Sequence, residues 1–181
     1  MPRLTPLDPM AATGETKELL DGIQARFGMI PNTHRAMAVN PAVLKAWVEL
    51  TGALGPTLDG QLNERIAIAI AEENGCGYCL AAHTAAGRAI GIDEDELARS
   101  RTSESSDPKI AAALQFAQAV NAKRGGVSDD DLAKVRAAGH DDADIAAIVG
   151  QVVLNVLTNY FNRVAQPVIE FPEVAPLAKA A

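Results

Sequence analysis

The chain has 181 residues, 48% hydrophobic but only 4% aromatic, so one compact domain must build its core from Ala, Leu, Ile and Val. A formal net charge of −7 disfavours nucleic acid and anionic membrane as partners, since either would want a basic patch. No apolar run follows Met1, and no segment reaches the ~20 apolar residues of a membrane span, which points to the cytosol. In that compartment paired thiols tend to be catalytic, redox-sensing or metal-bound rather than structural.

Residues 1–14 lack strong periodicity and read as an arm. Glu15 to Phe27 is a first helix, with Leu19, Leu20, Ile23 and Phe27 on one face and Gly28 past its end. Ile30-Pro31-Asn32 is a turn before a short segment carrying His34. Asn40-Pro41 supplies an N-cap and a first-turn proline for a helix to Leu54, which Gly55-Pro56 ends. Gln61 to Asn74 is the next helix and stops at Gly75. Cys76 to Ile90 follows, closed by Gly91. Asp93 caps a short helix, residues 101–107 are a polar loop, and Asp107-Pro108 opens a helix to about Lys123. Ser128 with Asp131 forms the pattern of a capping box for a helix ending at Gly139. The longest helix starts at Asp141 or Asp142 and runs to about Ala165. It is apolar nearly all round, which places it at the centre of the domain or in an oligomer interface. Residues 173–181 form a C-terminal arm. The expected fold is all-α, a single-domain bundle (core 15–172) built around an antiparallel helical hairpin.

Both cysteines lie on that hairpin, in Cys76-Gly77-Tyr78-Cys79, with His83 four residues on and Glu64 twelve residues before Cys76. Positions 76, 79 and 83 share one helical stripe. At a helix start, free N–H groups and the positive end of the dipole favour the thiolate. At ~1.5 Å per residue, Glu64 and His83 fall at similar levels of the two arms, within side-chain reach. A carboxylate that orients an imidazole beside a thiol is a common way to activate a nucleophile. Glu72 and Glu73 compete for the carboxylate role but sit at the turn, where solvation is the expectation.

Blander assignments exist for each residue. The two cysteines could be small core residues. Cys76, Cys79, His83 and Glu64 also make an acceptable zinc ligand count, although a helical chain of this size needs no metal staple. His34 reads as a surface or packing residue, His140 as local capping, and Trp47 as one large core or interface residue. Tyr78 could donate to a substrate oxygen, but an exposed tyrosine at a helix start is the simpler expectation.

Glu-x11-Cys-x2-Cys-x3-His on a helical hairpin resembles the alkylhydroperoxidase D-like branch of the carboxymuconolactone decarboxylase family. Gly28-Met29-Ile30-Pro31-Asn32, Asn40-Pro41, Asn159 to Arg163 and Phe171-Pro172 resemble its peroxidase-related subgroup. The resemblance implies a cofactor-free thiol-dependent peroxidase, assembled as a homo-trimer or homo-hexamer. In it Cys79 meets the hydroperoxide, Cys76 resolves the sulfenic acid, and Glu64 and His83 relay the proton. A lipoyl-domain or thioredoxin-like protein would be the thiol reductant. The chain departs from the best-studied type of the family at Tyr78, where that type carries a second histidine. Two alternatives stand beside this reading. A lactone-acid lyase would want a cationic pocket, for which Arg65 and Arg88 are the nearest residues in sequence. A non-enzymatic redox sensor or assembly subunit would change its oligomeric state with the disulfide.

Overall fold

The computed structural model describes residues 1–177; the last four residues of the C-terminal arm, 178–181, lie outside the described residues. Among the described residues there are nine α-helices and no strands: α1 (Gly14–Phe27), α2 (Asn32–Met37), α3 (Pro41–Leu54), α4 (Gly60–Glu73), α5 (Gly77–Ala89), α6 (Glu94–Ser100), α7 (Pro108–Ala122), α8 (Asp129–Ala137) and α9 (Asp142–Ala165). Their starts follow the expected chemistry. Asn40, Asp59, Asp93, Asp107, Ser128 and Asp141 each accept a first-turn N–H. Ser128 and Asp131 form the complete reciprocal capping box.

The helix buried on most sides is α4, not α9. Ile66, Ile68 and Ile70 of α4 are each fully buried. Ile66 and Ile70 face a cluster with α7, α8 and α9, whereas Ile68 faces α5, α6 and the C-terminal segment. A third cluster joins α1, α2 and α3, with Phe161 of α9 packed on it. The apolar residues of α9 divide between two faces. One face, with Ile148, Val152 and Asn159, enters the bundle, while Val149, Val153, Leu157, Tyr160 and Val164 remain exposed along the other. Their spacing of four, four, three and four residues makes one continuous stripe. By length and composition α9 could cross a membrane, but its buried face carries Gln151, Asn155, Asn159 and Asn162.

Both arms are tied to the body. The N–H groups of Arg3 and Leu4 donate to the carbonyl of Ala165 at 2.8 and 3.3 Å. On the C-terminal side, Phe171 packs edge-on against Tyr78, and the N–H of Leu177 donates to Glu72. Glu72 is therefore not the solvated residue expected: it also takes Arg101 in an ion pair at 2.8 Å.

Candidate active site: a disulfide and a carboxylate–imidazole pair

The turn between α4 and α5 sets the site. Gly75 takes a left-handed φ of 64°, the N–H of Cys76 donates back to Ala71, and the N–H of Gly75 donates to Glu72. This is a Schellman stop, which a glycine accommodates without a Cβ penalty. It turns the chain at once into α5 and leaves Cys76 as the N-cap residue, its Sγ accepting the N–H of Cys79 at 3.3 Å. Cys76 and Cys79 form a disulfide with Cα atoms 5.4 Å apart, and each residue is only 2% exposed.

Glu64 and His83 meet across the hairpin. Glu64 Oε2 lies 2.7 Å from His83 Nδ1, with both side chains about one-quarter exposed. In this contact a carboxylate oxygen faces Nδ1, and Nε2 is the ring nitrogen free of Glu64. Both side chains line a cavity of about 350 Å³ with Arg26, Trp47, Asn63 and Asn155. In its wall Thr51 Oγ1 and Asn63 Oδ1 are buried without a hydrogen-bond partner among the described residues, which suits a ligand with polar groups of its own.

Cys76 faces a different opening. A wider cleft of about 760 Å³ is lined by the N-cap Cys76, Gly77 and Tyr78 from α5, Tyr160 and Arg163 from α9, and Arg3. The carboxylate–imidazole pair thus lines one cavity and Cys76 the other, while Cys79 lines neither.

Tyr78 does not take the exposed position expected of it. Its ring is 6% exposed, and its hydroxyl donates to Glu170 Oε1 at 2.7 Å while accepting the Thr33 N–H at 3.2 Å. Burial, and next the Glu170 carboxylate, push the phenol well above its ordinary pKa. It clamps the C-terminal segment to α2.

A functional candidate that sequence reasoning missed is Asn162. It is 4% exposed, and its Nδ2 donates to Cys79 Sγ at 3.3 Å. Thr33 Oγ1 donates to its Oδ1 at 2.6 Å, which fixes the amide with its N–H toward the sulfur. The signal was present in the sequence as amides at 151, 155, 159 and 162, a polar row at helical spacing along an apolar helix.

The other singled-out residues do not join the site. His34 is buried against Phe27 and Trp47 with neither ring nitrogen hydrogen-bonded. Burial, and then the Arg26 charge, lower its pKa to about 4. His140 is buried too, between the Lys109 carbonyl at 3.0 Å and Asp144 at 3.2 Å, where it holds α7 to α9. Arg65 is spent on Glu96 in a buried pair at 2.6 Å, and Arg88 pairs with Glu94. Burial alone would raise the Glu96 carboxyl, but Ser105, Ser106 and Arg65 together hold it down at about 2. Among the described residues no group of three or more His, Cys, Asp or Glu side chains is placed to hold a metal ion.

The profile of the carboxymuconolactone decarboxylase family matches residues 41–121, the stretch that holds α4 and α5. The crystal structure of an uncharacterized peroxidase-related protein from Silicibacter sp. TM1040 is 27% identical, with 92% of each chain covered and a TM-score of 0.80. Over residues 41–121 the chain is similar to the carboxymuconolactone decarboxylase family, and its fold is that of alkylhydroperoxidase D-like proteins. The AhpD-core structure of an uncharacterized peroxidase-related protein from Ralstonia eutropha JMP134 shares its fold at 23% identity, 94% coverage of each chain and a TM-score of 0.84. So does the debrominase Bmp8 in complex with 2,3,4-tribromopyrrole, at 18% identity, 93% coverage of this chain and 91% of that one, and a TM-score of 0.80. No curated protein matches the sequence. The AhpD-like fold therefore hosts more than one named activity.

Proposed function

We propose that the protein is a thiol-dependent peroxidase that cycles Cys76 and Cys79 between dithiol and disulfide. The reading rests on one observation: a disulfide capped onto a helix start, with a hydrogen-bonded carboxylate–imidazole pair beginning one helical turn from Cys79. In the reduced protein the Cys79 thiolate attacks the distal oxygen of a hydroperoxide. The S–O bond forms, the O–O bond breaks, and the alkoxide leaves with a proton relayed by His83 and Glu64. The Cys76 thiolate then attacks the sulfenic sulfur, the S–S bond forms, and hydroxide leaves as water. Two thiol equivalents from a reductant restore the dithiol. A reducing compartment such as the cytosol supplies them.

The two arginines nearest the motif in sequence, Arg65 and Arg88, are already neutralised by Glu96 and Glu94 and offer no site to a lactone acid. The exposed α9 stripe supports a homo-oligomer of three or six chains, which would cover it.

The test is intact-mass spectrometry of the reduced protein after brief exposure to cumene hydroperoxide, beside Cys76→Ser and Cys79→Ser. The wild type should lose two protons, and a trappable sulfenic acid should form in Cys76→Ser but not in Cys79→Ser. Thiols that stay unmodified in all three would end the peroxidase reading.

A further inference from the structure

We infer that the cleft on the Cys76 side is the entry site of a small anionic thiol, a carboxylate- or sulfonate-bearing reductant held by Arg3 and Arg163. The inference rests on the redox-cycling reading above and names the reductant's chemistry.

The cleft has an unusual charge for this chain. The protein carries a net charge of −7, yet the cleft is lined by two arginines and no acidic side chain. Five other arginines, Arg65, Arg88, Arg99, Arg101 and Arg136, each meet a carboxylate, whereas Arg26, Arg35 and Arg124 lie away from this cleft. Arg3 and Arg163 have no such partner among the described residues, and both residues are exposed. Arg3 is held in place because its backbone N–H is bonded to Ala165 at the end of α9. The start of α5 adds its own positive end to the same wall. Glu170, the nearby carboxylate, is already engaged by Asn32 and Tyr78. An anion approaching this cleft meets three positive features beside the only cysteine that lines it.

The sulfur chemistry runs in the same direction. The entering thiolate attacks Cys76 Sγ and forms a mixed disulfide there, and the Cys76–Cys79 bond breaks. Its electron pair leaves on Cys79 Sγ, where the Asn162 N–H is already aimed at 3.3 Å to receive the negative charge. A second thiolate attacks the reductant's sulfur in the mixed disulfide and releases the oxidised reductant. The Cys76 thiolate is thereby restored, and two protons from solvent complete the dithiol. The substrate cavity at Glu64 and His83 is not used in this half of the cycle.

The experiment follows opening of the disulfide by stopped alkylation and mass spectrometry. The reductants are 2-mercaptoethanesulfonate, 2-mercaptoethanol and cysteamine, with rates compared per thiolate. At low salt the anionic thiol should be faster than the cationic one by about tenfold, a gap that narrows as salt screens the cleft. In the double variant Arg3→Gln, Arg163→Gln the ratio of anionic to neutral rates should fall toward one. Equal rates for the three thiols in the wild type, or a ratio the double variant does not change, would overturn the anion site and leave the redox cycle standing. If none of the three opens the disulfide, the redox cycle fails and this inference fails with it.

Discussion

Replacing Asn162 by Ala should slow the reaction of Cys79 with both alkylating reagents and hydroperoxide, without removing either cysteine. The amide donates to Cys79 Sγ at 3.3 Å and has its other end fixed by Thr33 at 2.6 Å. A hydrogen bond to a charged acceptor contributes ~1.5–3 kcal/mol, and here it stabilises the thiolate over the neutral thiol. At 1.36 kcal/mol per tenfold, its loss lowers the thiolate fraction roughly ten- to a hundredfold at neutral pH. The substitution also leaves the buried Thr33 hydroxyl unpaired, at a stability cost of about 1–3 kcal/mol. The assay is the pH dependence of iodoacetamide capture of Cys79 in a Cys76→Ser background, read by mass. The profile should move to higher pH in Asn162→Ala, while Asn162→Gln should recover part of the difference if its longer amide still reaches the sulfur. A profile unchanged by Asn162→Ala, in protein whose unfolding midpoint has fallen, would make Asn162 a packing residue only.

Three further outcomes follow from the same geometry. Tyr78→Phe should lower stability by ~1.5–3 kcal/mol in denaturant unfolding, because Glu170 loses its buried phenol donor, and should expose the C-terminal segment to protease. His34 is buried neutral with its pKa lowered to about 4 from an ordinary 6.5, so the unfolded chain binds the extra proton as pH falls between those values. Stability should therefore drop by up to about 2 kcal/mol from neutrality to about pH 5, and His34→Phe should remove that part of the slope in unfolding curves. Val153→Lys with Leu157→Lys, both on the exposed α9 stripe, should reduce the assembled mass in light scattering and leave helical circular dichroism unchanged; an unaltered mass would place the subunit contacts elsewhere.

The helices were readable because their punctuation is local. Asn40-Pro41, Asp107-Pro108, Ser128 with Asp131, and Gly75 act within a turn of where they stand, and each marks a boundary in the structure. The pairing of Glu64 with His83 could be anticipated for a related reason: a tight hairpin converts sequence distance from the turn into height along two parallel rods. What joins distant segments was not legible. Tyr78 reaches Glu170, 92 positions away, and Asn162 reaches Cys79 across 83. Nothing in the spacing of Cys76-Gly77-Tyr78-Cys79 says that the intervening side chain turns inward to clamp the C-terminal segment. Likewise α9 reads as apolar all round because periodicity counts residues and not neighbours. Only the packing of α3, α4 and α7 against it decides which side is left bare.

The placement of the disulfide bears on how a buried sulfur pair can turn over at all. Both cysteines are 2% exposed, so neither reacts from open solvent. Cys76 lines the wider cleft, the Glu64–His83 pair lines a separate cavity, and the two cavities differ in chemistry. In the proposed cycle the Glu64–His83 side would supply the proton of a departing alkoxide, and its unpartnered Thr51 and Asn63 oxygens suit a polar guest. The Cys76 side offers positive charge and no carboxylate–imidazole pair, which favours an incoming thiolate. In that proposed cycle Asn162 stands at the sulfur both halves share: its N–H would stabilise Cys79 as the attacking thiolate in oxidation and as the leaving thiolate in reduction. On this geometry Asn162→Ala should slow both half-reactions, whereas Arg3→Gln with Arg163→Gln should slow reduction alone. Separate rates for the two halves, measured on the same protein, therefore distinguish a directional site from a generally reactive dithiol.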